Sequence, residues 1–208
     1  MKKLAIIVAV IGVLVVSIGV IFFFYMTQGP DLSQFEHLKD PQVSTKENQK
    51  MLVVETKGDP NIVGKKAFGM LFKLYYKIKG TPKGPGRYAP RARWQKSLDV
   101  PKSEWVGLYA MPVPENTIEL PEYETEPELT VSLEKWEYGE VAEILHIGPY
   151  NKEEPTIKRL LDFVNEQGYT IIGDHEEEYL KGPTMFSKGN PEEYVTIIRY
   201  RVRKSDER

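Results

Sequence analysis

Val53-Val54-Glu55 returns 88 positions later as Val141-Ala142-Glu143, and the echo continues along the chain. Gly58 and Pro60 recur as Gly148 and Pro149 at offsets of 90 and 89, Gly80 recurs as Gly168 at 88, and Trp105-Val106 recurs as Tyr194-Val195 at 89. Between these markers lie two stretches of helical period: Val63, Ala67, Leu71, Leu74 and Ile78 in the first copy, Ile157, Leu160, Leu161 and Val164 in the second. Gly80 and Gly168 stand where a helix C′ glycine belongs. A nearly constant offset through strand, turn, helix and strand marks an internal repeat. The expected fold class is α+β, built from two strand–helix–strand–strand units at about 51–113 and 129–203 within a domain spanning 50–204.

One such unit alone would leave apolar surface uncovered, so the two are expected to bury it against each other. The middle strand of the second unit is read as Tyr169 to Leu180 and its last strand as Glu193 to Arg203. The corresponding middle strand of the first unit runs from Arg91 to Leu98, after a Gly- and Pro-rich loop from Gly80 to Pro90. Glu115 to Glu128 separates the copies with six glutamates and no basic residue, the composition of a solvated connector.

Ahead of the repeat, Leu4 to Met26 is an uncharged run of 23 residues, enough at 1.5 Å per residue to cross a hydrocarbon core of about 30 Å. It exceeds the apolar core of a signal peptide and ends in Phe22-Phe23-Phe24-Tyr25-Met26, rings that obstruct a small-residue cleavage site. Residues 1–26 are therefore read as an uncleaved transmembrane anchor, with membrane contact through residues 4–26 and the polar residues 27–49 as a tether. Lys2 and Lys3 precede the run and Asp31, Glu36 and Asp40 follow it, so the N-terminus is expected in the cytoplasm and the single-pass chain's C-terminal domain outside.

The chain has no cysteine, which removes thiolate chemistry, disulfides and cysteine metal sites. Residues 27–208 carry 26 basic and 30 acidic side chains, a balance that gives no reason to expect nucleic acid as a partner. The three histidines, His37, His146 and His175, are scattered through the tether and two strands, so no metal site is expected; no cofactor is expected either.

The second copy resembles the GyrI-like domain, also known as the bacterial transcription activator effector-binding domain. The residues that carry the resemblance are His146-Ile147-Gly148-Pro149-Tyr150 at a strand-to-helix turn, the helix ending Glu166-Gln167-Gly168-Tyr169, and Glu177-Glu178-Tyr179-Leu180-Lys181-Gly182-Pro183. Gly182 stands where family members commonly have aspartate. The resemblance covers about 129–203 and reaches the first copy through the repeat, in accord with the family's duplicated architecture.

What the resemblance implies is a cleft between the copies that takes a small organic molecule, apolar or cationic, with Glu177 in it and Tyr179 beside it. Strand geometry agrees, since residues two apart project from one face. Tyr109 and Trp136 are expected as further aromatic walls of this ligand-binding site. A carboxylate among rings suits an organic cation. Burial would also raise its proton affinity, so the alternative is a hydrolase of strained-ring electrophiles, with Glu177 as base and Tyr179 polarising the substrate. A third reading is a membrane-tethered adaptor for a protein partner that the sequence does not identify. The competing structural reading pairs Glu177 with Arg91 or Arg93, which lie on the strand that answers its own through the repeat.

Overall fold

The computed structural model describes Ser17 and residues 31–94, 100–183 and 187–205. The proposed anchor therefore lies outside the described residues, Ser17 apart. Among the described residues no helix is long and apolar enough to cross a membrane.

The fold is α+β, dominated by one large antiparallel sheet. Its strands are β1 (Gln42–Lys46), β2 (Gln49–Lys57), β3 (Arg91–Trp94), β4 (Val106–Pro112), β5 (Thr130–Trp136), β6 (Gly139–Ile147), β7 (Tyr169–Ile171), β8 (His175–Lys181) and β9 (Val195–Lys204). Helix α1 (Pro60–Tyr75) follows β2, and α2 (Glu154–Glu166) follows β6. The spatial order is β1-β6-β9-β8-β3-β4-β2-β5, with β7 on the far end of β9. Read from the middle outwards, this order is a pseudo-twofold: β8 answers β3, β9 answers β4, and β6 answers β2.

The repeat reaches one strand further than composition suggested. β1, which precedes the first copy, pairs with β6 of the second, and β5, which opens the second copy, pairs with β2 of the first. Each half thus lends its leading strand to the other. Gln42 to Lys46, read as tether, forms this exchanged edge strand, and the 3₁₀ turn Ser33–Lys39 lays Leu38 into a buried cluster with Leu145, Val195 and Ile197. Polar composition hid the role because the strand contributes mainly backbone pairing, and the segment's apolar contacts come from a few scattered residues, Leu38 with Leu32 and Phe35 on one cluster and Val43 on another.

The marker residues of the repeat occupy matching places. Gly58 and Gly148 both adopt φ +138°, a conformation side chains disfavour, at the turn from strand to helix. The Gly58 amide donates to the carbonyl of Trp105 at 2.9 Å, and that of Gly148 to the carbonyl of Tyr194 at 3.0 Å. Asp59 caps α1 by accepting from the Asn61 amide at 2.9 Å, with Pro60 at the first helical position. Gly168, at φ +69°, ends α2 at C′. Gly80 does not do the same for α1, which stops at Tyr75; Thr81 instead ties off the end, its hydroxyl donating to the Tyr75 and Ile78 carbonyls.

The expected strand Tyr169 to Leu180 is interrupted. β7 and β8 both lie along β9, separated at Ile172-Gly173-Asp174, where Gly173 packs so closely on the Arg201 side chain that a Cβ would come within 2.8 Å. Both helices lie on one face of the sheet. α1 buries Ala67, Leu71 and Leu74 against Leu52, Val54 and Met111, while α2 buries Leu160 and Val164 against Ile144, Ile198 and Val202. The opposite face carries a second cluster, Met51, Val53, Leu108, Ala110, Trp136 and Tyr138.

Candidate functional site

The seam of the two halves is the β3–β8 pair, and its register decides the chemistry. Arg91 faces Glu178, Ala92 faces Glu177, and Arg93 faces Glu176. Side chains alternate along a strand, so the run Glu176-Glu177-Glu178 is split between two faces. The outer two glutamates meet arginines on the face away from the helices; the middle one turns to the helix side.

On the arginine face the carboxylates are tightly held. Arg199, 1% exposed, reaches Glu143 at 2.6 Å, Glu178 at 2.9 Å and also Glu176. Arg93 donates to Glu176 at 2.7 Å and stacks over Trp136 with its guanidinium 3.9 Å from the ring centroid. Arg91 pairs with Glu178 at 3.2 Å, and Tyr138 links Arg91 to Glu176. Burial works to raise the proton affinity of all three carboxyls, but the guanidiniums outweigh it: Glu143 and Glu176 are lowered and Glu178 is held down to about 2.

Glu177 has none of these partners. Its Oε1 accepts from Trp94 Nε1 at 3.2 Å and from His175 Nε2 at 3.0 Å, and its Oε2 accepts from the Tyr179 hydroxyl at 2.6 Å. Behind His175, the other ring nitrogen meets the Tyr200 hydroxyl at 2.7 Å. No arginine or lysine among the described residues pairs with Glu177, so the clasp by Arg91 or Arg93 is replaced by pairing of both arginines on the other face. The expected rise in its proton affinity is corrected as well. Burial does push it up, yet hydrogen bonds from His175, Tyr179 and Trp94 and the charge interaction with His175 hold the carboxyl below its ordinary value.

Around this carboxylate the rings form a continuous wall. Phe68 of α1 meets Tyr109 edge-on at 4.8 Å and Tyr179 at 5.7 Å; Trp94 meets Tyr109 at 5.6 Å; Tyr150 meets Tyr179 at 5.5 Å and Tyr194 at 5.2 Å. Three close approaches make room for them. A Cβ at Gly107 would come within 2.7 Å of Trp94, one at Gly64 within 3.3 Å of the Tyr109 hydroxyl, and one at Gly182 within 2.5 Å of the Tyr150 hydroxyl. The departure from aspartate at Gly182 thus has a steric consequence: it lets Tyr150 close over the site. Tyr150 sits on a short 3₁₀ turn and is 37% exposed, whereas Glu177 beneath is 9% exposed. The hollow expected at this junction is occupied by rings in this conformation, while a surface hollow of about 180 Å³ lined in part by Arg93, Asp174 and Arg201 lies on the opposite face.

Of the residues expected at the site, Glu177, Tyr179 and Tyr109 come together. Trp136 does not: it is 2% exposed in the cluster of the opposite face, under Arg93. Its place follows from β5 ending against Gln49 of β2, a register set by a strand exchange that the sequence did not disclose. Trp94, Tyr150, His175 and Tyr200 were missed as site residues. The period of two that pairs Glu177 with Tyr179 equally pairs it with His175, so that signal was present. His146 is held at the turn, Nδ1 3.0 Å from Thr156 Oγ1 and Nε2 3.3 Å from the Pro149 carbonyl, and burial lowers its proton affinity; it shapes the turn that carries Tyr150.

Glu153 was also missed. It directly precedes α2, is 6% exposed, and its Oε1 has no hydrogen-bond partner among the described residues. Burial, reinforced by the negative charge of Glu177, pushes its carboxyl up to about 9. Two other buried oxygens on the helix side of the sheet, Tyr109 Oη and Thr196 Oγ1, have no such partner either.

No protein-family model and no curated protein matches the chain. Solved structures do. An uncharacterised conserved protein from Listeria innocua is 23% identical, with a TM-score of 0.66 over 84% of this chain and 100% of its own. A hydrolase from Listeria innocua is 22% identical, with a TM-score of 0.61 and the same coverage. The EcmrR C-terminal domain is 15% identical, with a TM-score of 0.56 over 79% of this chain and 98% of its own. Likeness at this identity shows the fold, and it supports the GyrI-like architecture that the residues at 146–150, 166–169 and 177–183 resemble.

Proposed function

We propose that this chain is a membrane-anchored, GyrI-like domain that binds a small organic cation between its two halves at Glu177. The observation that carries the reading is a nearly buried carboxylate, ringed by Trp94, Tyr109, Tyr150 and Tyr179, that pairs with no arginine or lysine among the described residues while its two sequence neighbours are so paired. Ring faces and a carboxylate both attract a cation once water is displaced, and the carboxylate retains one lone-pair direction on Oε2 beyond its three protein donors. Access requires Tyr150 to swing away from Gly182. Anchoring through residues 4–26 places this domain outside the cytoplasm.

The test is a titration of the full chain in detergent with 4-isopropylbenzyltrimethylammonium, following tryptophan fluorescence. Trp94 donates directly to Glu177, so its emission reports the site. Saturable binding that weakens at least tenfold in Glu177→Gln is expected; no saturation in wild type refutes the reading. Because the chain has no cysteine, a single Glu119→Cys variant labelled in intact cells by a membrane-impermeant maleimide checks the orientation.

A second reading, hydrolysis of a strained-ring electrophile, is favoured by the Tyr200–His175–Glu177 hydrogen-bond chain behind the carboxylate and by the fold likeness to a protein described as a hydrolase. It ranks second because a carboxyl held below its ordinary value is a weak base at neutral pH. Turnover of such a substrate that disappears in Glu177→Gln would reverse the ranking.

A further inference from the structure

We propose that Glu153 is a second ligand-contacting group of the same site, a neutral carboxylic acid that donates its O–H to an acceptor oxygen on the bound cation. The proposal rests on the binding reading above and narrows it: the preferred ligand is a monocation that carries a hydrogen-bond acceptor, such as a ketone, at its other end.

Three placements lead there. Glu153 follows the 3₁₀ turn of Tyr150 and lies within electrostatic reach of Tyr150, Tyr179 and Glu177, so it borders the ring wall from the α2 side. It does not spend its carboxyl on the helix: its backbone is already αR, and its side chain accepts no capping hydrogen bond from α2. Its Oε1 is shielded from solvent and unpartnered among the described residues. A buried polar group left unpaired is destabilising, and a bound hydrogen-bonding partner is what relieves it.

The protonation state fits donation. Among the described residues the charge that acts on Glu153 is that of Glu177, and it is negative; burial acts first and in the same sense. Two carboxyls in one desolvated site do not both ionise readily. Here the hydrogen-bond donors sit on Glu177, which takes the charge and leaves the proton on Glu153. The site therefore presents O⁻ at Glu177 and O–H at Glu153, a polarity that reads a ligand with one positive end and one acceptor end.

The experiment compares two permanently charged probes of equal heavy-atom count and similar size, 4-acetylbenzyltrimethylammonium and 4-isopropylbenzyltrimethylammonium, on the full chain in dodecyl maltoside, a detergent without carbonyl groups. Wild type is expected to prefer the acetyl probe by about tenfold, the worth of one well-made hydrogen bond in a desolvated site. Glu153→Leu removes that preference while still binding the isopropyl probe, and Glu153→Gln, which keeps an N–H donor, retains it. The infrared difference between wild type and Glu153→Gln at pH 7 shows the C=O band of a protonated carboxyl. Equal affinity for the two probes in wild type, a preference that survives in Glu153→Leu, or no protonated-carboxyl band overturns the proposal. If the isopropyl probe binds and Glu177→Gln weakens it while no acetyl preference exists, only the role of Glu153 falls. If neither probe binds wild type, the binding reading falls and takes this proposal with it.

Discussion

Glu176, Glu177 and Glu178 are consecutive copies of one residue, yet the sheet gives them two different lives. Glu176 and Glu178 lie on the arginine face, matched to Arg91, Arg93 and Arg199, where they close the seam. Glu177 lies on the helix face among rings and the donors Trp94, His175 and Tyr179, opposite Ala92, a residue too small to fill the space before it. The difference shows that position on a pleated strand, and not residue type, separates a carboxylate clasped by arginines from one that is not. The pseudo-twofold sharpens the contrast, since the first copy answers Glu-Glu-Glu with Arg-Ala-Arg. One face gains complementary charges across the seam, and the other gains a single carboxylate beside a small residue.

The largest break in that comparison is Arg199→Met, which strands Glu143, Glu176 and Glu178 in a buried network and should cost about 3–5 kcal/mol in denaturant unfolding. The three carboxyls are held below their unfolded values, so their contribution is present above about pH 4.5 and is lost as pH falls towards 2. Arg199→Met should flatten this acid limb of the stability curve; an unchanged limb would show that the network is not what holds the seam.

Glu153→Gln should act in the opposite direction. A carboxyl raised from 4.5 to about 9 in the folded protein costs nothing below its unfolded value and progressively more as pH climbs between the two. The variant should therefore be more stable than wild type at pH 7 by about 1–3 kcal/mol, with a gain that grows from pH 5 to pH 9. A gain independent of pH, or a loss, would mean that Glu153 is ionised and paired.

Gly182→Asp should push Tyr150 off its seat at a cost of about 1 kcal/mol and speed cation association in stopped-flow mixing. Slower association would remove Tyr150 from the access route. The smallest effect is expected from Trp136→Phe, which should leave cation affinity within about twofold, since Trp136 lies across the sheet from Glu177.

The sequence carried much of this architecture. The offset of 88 to 90 placed both helices and the paired turns at Gly58 and Gly148, because glycine in a conformation closed to other residues leaves a mark that survives divergence. Alternation put Glu177 and Tyr179 on one face. What stayed hidden depended on pairing between distant segments. The exchange of β1 and β5 lies in backbone hydrogen bonds that composition does not record, and with it went the side of the sheet on which Trp136 falls. Arg91 and Arg93 looked able to reach Glu177 because the repeat aligns their strands; only the register shows that they face its neighbours. Glu153 gave no signal, since an acidic residue at a helix start ordinarily means a favourable dipole contact, and what sets it apart is a buried Oε1 with no hydrogen-bond partner among the described residues.

On the proposed reading Glu177 binds the cation and Glu178 holds the seam. Titrating the full chain with 4-isopropylbenzyltrimethylammonium in wild type, Glu177→Gln and Glu178→Gln separates the two roles. Affinity should fall at least tenfold in Glu177→Gln with the fold retained, and the folded fraction of Glu178→Gln should bind as wild type does. Equal affinity in wild type and Glu177→Gln would show that the cation does not bind at Glu177.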